Sequence, residues 1–404
     1  MRRINPTRFQ VATRGTTREI NSQIALNLVR ARQPLSRADL ARAMGVSRAA
    51  VTVIVTDLIA RKLVFEGATG QAVRGRKPTF LYIDARRRTV VAADIRASET
   101  FVMLADLLGK PCTEVISFPT SRDPEELAAT LGRRIKGLLA QHPEIEACDG
   151  LGVVVPGMVE HATMRVLHAP TLGWRNVDLL PLLTGATGLR VQIENSGRAC
   201  ALAQMWAHAT GTAAQGDLVF VSVSDGVGVG VILNGEVLRG RHNIAGEFGH
   251  IPLSLEGPRC SCGANGCWEA FVSNRATLTR YFGRNPAGPQ DAKQRGFTVE
   301  DLIARARTGD AKAVAALEAT ARYLGLGLAS VINVLDPACV YIGGEITRAW
   351  DLIEGTVRSA LAERALTPAA ADTDIRPVAV NEHPRLLGAA ALVTAPAFAA
   401  PVVA

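Results

Sequence analysis

Over the first ninety positions apolar residues recur at the three- and four-residue spacing of a helix face; beyond them the pattern shifts to short β-rich runs. Ile20, Ile24, Leu28 and Ala31 mark one face of a first helix, which Pro34 ends. Ser36 begins a second helix, with Asp39 three residues on as its capping partner, and this one runs through Ala43 to a turn at Gly45. Ser47 caps a third, reaching about Arg61, with Val51, Ile54, Val55, Leu58 and Ile59 directed inward. Leu63 to Phe65 and Thr79 to Ile83 read as two strands flanking the segment GATGQAVRGRKP.

From Thr89 the run TVVAADIRASETFVMLADLLGKPCTEV predicts three strands, with turns at Arg96 to Ser98 and at Gly109-Lys110. A helix over Pro124 to Ala140, a buried strand in GLGVVVPGMV and a helix from Ala199 to Thr210 follow. Leu218 to Leu238 repeats the strand, glycine turn, strand texture of the first unit. The expectation is an α/β fold with a central sheet, built from two similar halves with a cleft between them. Tyr281 to Phe297 reads as an unstructured insertion.

Two helices joined by a short glycine turn and followed by a two-stranded hairpin make a winged helix-turn-helix, whose second helix enters the DNA major groove. Ser47, Arg48, Ala49, Thr52 and Val53 lie near the start of that helix. Arg48 can pair with guanine, and Ala49 and Thr52 can meet a thymine methyl. In the wing, Arg74, Arg76 and Lys77 can hold phosphates or enter a minor groove. Charge agrees: residues 1–90 carry 18 Lys and Arg against 5 Asp and Glu, while the other 314 carry 27 against 32. That split suggests nucleic-acid contact confined to the N-terminal part, although charge alone would also suit a membrane surface or a disordered arm. A charged helical protein-binding module would share some of these features.

No stretch approaches the ~18 apolar residues of a membrane helix, and the apolar tail carries Pro396 and Pro401. Met1 to Gln23 is basic and polar, without the apolar core of a secretory signal. A cytoplasmic protein without membrane insertion is expected, in a compartment where thiols stay reduced. There, His250, Cys260, Cys262 and Cys267 offer Cys₃His, a ligand set for one structural Zn²⁺. Gly263 and Gly266 let so short a loop wrap an ion. Free or disulfide-bonded cysteines are the competing reading. Cys112, Cys148, Cys200 and Cys339 are scattered, as small core residues would be.

The cysteine loop belongs to a longer pattern. AGEFGH (Ala245 to His250) precedes it and CWEAFVS (Cys267 to Ser273) closes it. VVPGMV (Val154 to Val159), APTLGW (Ala169 to Trp174), IENSGRACALAQ (Ile193 to Gln204), DPACVYIGGEI (Asp336 to Ile346) and RLLGAAAL (Arg385 to Leu392) carry it along the chain. Together these resemble the ROK family of bacterial sugar kinases and sugar-responsive repressors, which have a winged helix at the head of the repressors. The resemblance implies a winged helix over residues 1–84 and a two-lobed actin-like ATPase/sugar-kinase fold over 85–404. Its small lobe would take residues 85–195 with a C-terminal helix at 382–404, and its large zinc-containing lobe residues 196–381. It also implies sugar contacts from Gly157, Asn195, Glu247, His250 and Glu269, with the zinc loop beside the pocket.

Two departures from the kinases bear on activity. Where they carry Glu-Asn-Asp this chain has Glu194-Asn195-Ser196, and serine forgoes general-base help of roughly 10²–10⁴ in rate. Where they carry Asp-Ile-Gly-Gly-Thr it has Asp94-Ile95-Arg96-Ala97-Ser98, with side chains where a backbone must approach phosphate. Thr171 also replaces the usual asparagine. The reading is a sugar-responsive regulator, a repressor of carbohydrate uptake or catabolism genes, without catalytic residues. A homodimer or homotetramer would bind a pseudo-palindromic operator. An active ATP-dependent sugar kinase with an appended DNA-binding domain is the alternative, and a regulatory protein partner would fit the family too.

Overall fold

The computed structural model describes residues 13–69, 78–85, 88–208, 217–283 and 296–398. Its first helix, α1 (Arg14–Arg32), buries Ala25, Leu26 and Val29, whereas Ile24 is 44% exposed and Leu28 half-buried. The apolar face expected at Ile20, Ile24, Leu28 and Ala31 is therefore rotated. The inward face is chosen by what α1 packs against, a cluster including Leu40, Leu58 and the distant Trp206 and Phe398.

After β1 (Leu35–Ser36), α2 (Arg37–Met44) starts at the expected capping box: Ser36 Oγ accepts from Asp39 N, and the Asp39 carboxylate accepts from Ser36 N. Gly45 ends it at φ 66, a left-handed conformation that glycine adopts without strain. The chain bends by 115° into α3 (Arg48–Ala60), capped by Ser47. Val51, Ile54, Val55 and Leu58 face inward as expected, while Ile59 is half-buried. β2 (Val64–Thr69) and β3 (Thr79–Ile83) complete a sheet of order β1-β3-β2.

The rest of the chain repeats one topology twice. β4 (Arg88–Ile95), β5 (Glu99–Asp106) and β6 (Ile116–Pro119) form an antiparallel meander. α4 (Pro124–Ala140) leads to β7 (Ala147–Val155), parallel to β4. A small sheet of β8 (Met158–Val159), β9 (Val166–Ala169) and β10 (Trp174–Val177), then α5 (Leu179–Thr187), precede β11 (Val191–Asn195), parallel to β7. α6 (Ser196–His208) crosses to the second half.

There β12 (Leu218–Val223), β13 (Val227–Leu233) and β14 (Glu236–Val237) form the second meander. The helices α7 (Glu269–Val272), α8 (Asn274–Phe282), α9 (Val299–Arg307) and α10 (Ala311–Leu335) follow. β15 (Cys339–Gly343) is parallel to β12; α11 (Trp350–Ala362), α12 (Pro368–Ala371), β16 (Asp374–Pro377) and α13 (Pro384–Thr394) end the fold. The sheet orders, β11-β7-β4-β5-β6 and β14-β13-β12-β15-β16, are the same arrangement read from opposite ends. The internal duplication suggested by sequence texture is thus present as topology.

Helices α6 and α13 pack together between the sheets, α13 on β4 and β7, α6 on β12 and β13. Two glycines permit this closeness. A Cβ on Gly388 would stand 2.1 Å from the Ala199 carbonyl oxygen, and one on Gly230 2.2 Å from that of Gly197.

Two further expectations change. Of the scattered cysteines only Cys200 is buried; Cys112 is exposed beyond the β5–β6 turn, and Cys148 and Cys339 are half-buried. Tyr281 and Phe297, placed in an unstructured insertion, stack at 5.5 Å, and Tyr281 belongs to α8. They are ordered by aromatic packing against each other, while residues 284–295 lie outside the described residues.

Candidate functional site

The cysteine loop follows a short 3₁₀ turn at Phe248–His250 and closes where Gly266 passes under Ser254. A Cβ on Gly266 would lie 1.5 Å from the Ser254 carbonyl oxygen, so only glycine fits, at φ 69. Hydrogen bonds from Leu253 N to Gly266 O (2.8 Å), Cys260 N to Ala264 O (2.8 Å) and Trp268 N to Ile251 O (2.9 Å) fix the loop. Trp268, fully buried with Nε1 donating to Tyr323 O, anchors it to the core.

This scaffold draws together the four predicted ligands. His250 Nδ1 lies 3.6 Å from Cys260 Sγ, Cys262 Sγ lies 3.6 Å from Cys267 Sγ, and all four ligand atoms fall within 4.8 Å of one another. A tetrahedral zinc with Zn–S near 2.3 Å separates its sulfurs by about 3.8 Å, so the set fits a structural metal. No disulfide links these cysteines. Burial, with the neighbouring thiols adding to it, pushes Cys267 up to about 12. A bound cation reverses that balance by stabilising thiolates.

Glu269 opens α7 beside the cysteine loop. Its Oε1 accepts from Ser261 Oγ (2.9 Å) and lies 3.5 Å from Cys260 Sγ, while Oε2 accepts from Val227 N at 3.0 Å. Glu247 is half-buried; burial raises its carboxyl above the ordinary range, opposed by His250 and Arg198 and reinforced by Glu269. At the end of β11, Asn195 Nδ2 donates to Gly157 O at 2.6 Å, and Asn195 Oδ1 accepts from Gly197 N and Arg198 N. Asn195 thus caps α6 and ties it to the Gly157 loop.

Sequence reasoning missed the group that connects these two sides. Arg198, 3% exposed, pairs with Glu194 (3.5 Å) and donates to the carbonyls of Asn243 (2.6 Å) and Ala245 (3.4 Å), just before Glu247. Arg239 binds the other Glu194 oxygen at 2.9 Å. Asn243 Oδ1 in turn accepts from His161 N beyond β8, so the loop links α6 to the segment after β8. A charged residue four positions after Glu194 was the one visible signal; Arg239 and Asn243 gave none.

In the segment where phosphate-binding glycines would stand, Asp94 is fully buried. Its Oδ2 pairs with Arg96 Nε at 2.7 Å and its Oδ1 lies 3.8 Å from Arg385. The Arg96 guanidinium also covers the Phe101 ring. Ser196 is buried at the start of α6.

On the winged helix, Ser47, Arg48, Ala49, Thr52 and Val53 are all exposed on one end of α3. Thr52 Oγ1 donates to Arg48 O, and Arg37 holds the Thr52 carbonyl while pairing with Glu66 of the wing. Arg74, Arg76 and Lys77 lie outside the described residues.

Comparison with known proteins decides the kinship. The ROK family model matches residues 92–395, three quarters of the chain, and the MarR family model matches residues 15–72. The chain belongs to the ROK family. This ROK chain is 27% identical over 387 residues to the xylose repressor of Bacillus subtilis (strain 168), covering 95% of this chain and 97% of that protein. It resembles the crystal structure of a ROK family transcriptional regulator, a homolog of the E. coli MLC protein, with TM-score 0.80 and 27% identity over 95% and 97% of the two chains. A ROK glucokinase from Streptomyces griseus in complex with glucose and AMPPNP aligns with TM-score 0.65 and 26% identity. That match covers 75% of this chain and 98% of the glucokinase.

Proposed function

We propose that this ROK chain is a sugar-responsive DNA-binding transcriptional regulator, a repressor of carbohydrate uptake or catabolism genes, whose kinase-like body is its effector-binding module. The observation that carries this is the pairing, in one chain, of an exposed reading helix with a ROK body, an arrangement that aligns along nearly its whole length with a ROK transcriptional regulator. The xylose repressor likeness supports the same reading.

The winged helix takes residues 1–84, the small lobe 85–195 with the closing helix at 382–404, and the zinc-containing lobe 196–381. Gly157, Asn195, Glu247, His250 and Glu269 line the sugar site, with Zn²⁺ on His250, Cys260, Cys262 and Cys267. The ion splints Glu247 and Glu269, since His250 offers its second ring nitrogen to a hydroxyl when the first holds metal. Ser47, Arg48, Ala49 and Thr52 meet operator bases and backbone, and Arg74, Arg76 and Lys77 of the wing meet phosphates. A homodimer or homotetramer reads a pseudo-palindromic operator in the cytoplasm; no single helix among the described residues is long and apolar enough to cross a membrane.

Phosphoryl transfer is not part of this function. Ser196 supplies no base, and Arg96 spends its guanidinium on Asp94 where a phosphate cradle needs bare backbone. The test is fluorescence anisotropy on DNA from upstream of the protein's own gene, titrated with D-xylose, glucose and N-acetylglucosamine at fixed salt. Tight binding altered by one sugar is expected. Absence of specific binding together with ATP-dependent phosphorylation of a sugar would replace the regulator with a kinase.

A further inference from the structure

The winged helix meets the ROK body at two separate places. At one, Arg88 of β4 grips Asp149 through both carboxylate oxygens and donates to the Arg61 carbonyl at the end of α3, while Lys62 pairs with Glu146. This anchor belongs to the first sheet. At the other, Arg30 of α1 lays its guanidinium 3.4 Å from the centre of the Trp206 ring and donates to the Trp206 carbonyl at 2.5 Å. Phe398 packs edge-on to Trp206, and Asn27 donates to the Phe398 carbonyl at 2.7 Å.

Trp206 lies in the last turn of α6, whose first turn carries Arg198 and follows the Asn195 cap. Thirteen helical residues make a rod of about 20 Å. One end is therefore bonded to the loop that leads to Glu247, and the other meets the second anchor of the winged helix. A shift of α6 against the first sheet would turn the winged helix about the Arg61–Arg88 contact.

Arg30 is an expensive choice for plain packing. It is 5% exposed, no carboxylate lies within ion-pair reach among the described residues, and its Nε has no hydrogen-bond partner. Burial lowers it to about 10, so it stays charged. Its closest attachments are a cation–π contact and a carbonyl, both made to Trp206 in the last turn of α6, with the Phe398 ring further off at 5.4 Å.

We propose that Arg30 and Trp206 form the joint through which α6 carries occupancy of the cleft to the recognition helix. Both are positioning residues of the effector response. This rests on the sugar-responsive reading above.

The test uses full-length protein and reads three quantities: operator affinity, sugar affinity, and the change in operator affinity that sugar produces. Arg30→Met and Trp206→Phe should keep the first two within about threefold of the unsubstituted protein. The third, ordinarily about 5–150-fold for an allosteric pair, should fall to under threefold. Arg30→Lys, which keeps a cation over the ring, should recover part of it. A full response in both folded variants overturns the proposal.

A second arm needs no sugar. Operator affinity is measured for Arg198→Lys, Arg30→Met and the double variant, whose sites lie at opposite ends of α6. Non-additivity of threefold or more supports the joint; additive effects overturn it. If the unsubstituted protein ignores D-xylose, glucose and N-acetylglucosamine while the cycle is non-additive, the sugar reading fails and the joint stands. A sugar response with an additive cycle keeps the sugar reading and overturns the joint.

Discussion

Glu269 holds the backbone N–H of Val227 at 3.0 Å with one carboxylate oxygen and the hydroxyl of Ser261 with the other. The residue is thereby fixed between the β12–β13 turn and the cysteine loop, so its position depends on the loop's shape. Removing a metal ligand should release both. Cys262→Ser is expected to lose metal and to weaken sugar binding by more than the ~10–100-fold that outer-shell changes cost metal sites. Elemental analysis and sugar titration on the same sample check this. A metal-free variant with unchanged sugar affinity would separate the loop from the cleft.

Arg48 stands exposed at the start of α3, where a base contact and a phosphate contact have different consequences. Arg48→Ala should weaken operator binding by about 1–3 kcal/mol and relax preference at one base pair. Binding to a panel of operator variants at constant salt provides the measurement. A uniform loss across all sequences would instead make Arg48 a backbone contact, and no loss would remove it from the interface.

The two possible faces of α1 can be told apart by stability. Leu26, 1% exposed, should cost about 2–5 kcal/mol as Leu26→Ala, whereas Ile24→Ala at an exposed position should stay nearer ~0.5 kcal/mol. Chemical denaturation followed at the winged helix measures both. Equal losses would restore the face that apolar spacing favoured.

That pair also shows where sequence reading stops. The capping box at Ser36 and Asp39, the left-handed Gly45 and the whole of α4 were legible because a few adjacent residues determine each one. The gathering of His250, Cys260, Cys262 and Cys267 was legible for the same reason: the four sit within eighteen residues. The α1 face was not, because Trp206, far along the chain, selects it. Nor was the Glu194 network, where Arg198 stands four positions from its partner but Arg239 reaches it only through the tertiary fold. Asn195 stood out in the sequence by its motif, yet its work in capping α6 and holding Gly157 emerges only from the fold.

Asp94 allows the last contrast, between a residue kept for nucleotide and one kept for structure. In a working phosphate site an aspartate at this place would be open to ligand. Here it is fully buried, paired with Arg96 and facing Arg385. Asp94→Asn leaves the Arg96 guanidinium without its ion-pair partner and removes one of the acidic groups that offset Arg385, Glu345 and Asp225 being others. Breaking a fully buried pair costs about 3–5 kcal/mol, and because Arg96 remains about one third exposed the expected loss is smaller, about 2 kcal/mol. Thermal or denaturant unfolding of the full chain, with and without ATP and magnesium, measures it. A clear loss of stability, with no shift on adding nucleotide to the unsubstituted protein, agrees with a structural Asp94. A neutral substitution combined with nucleotide-induced stabilisation of the unsubstituted protein would mean the pocket still serves ATP, because a ligand that binds only the folded state raises its stability by mass action.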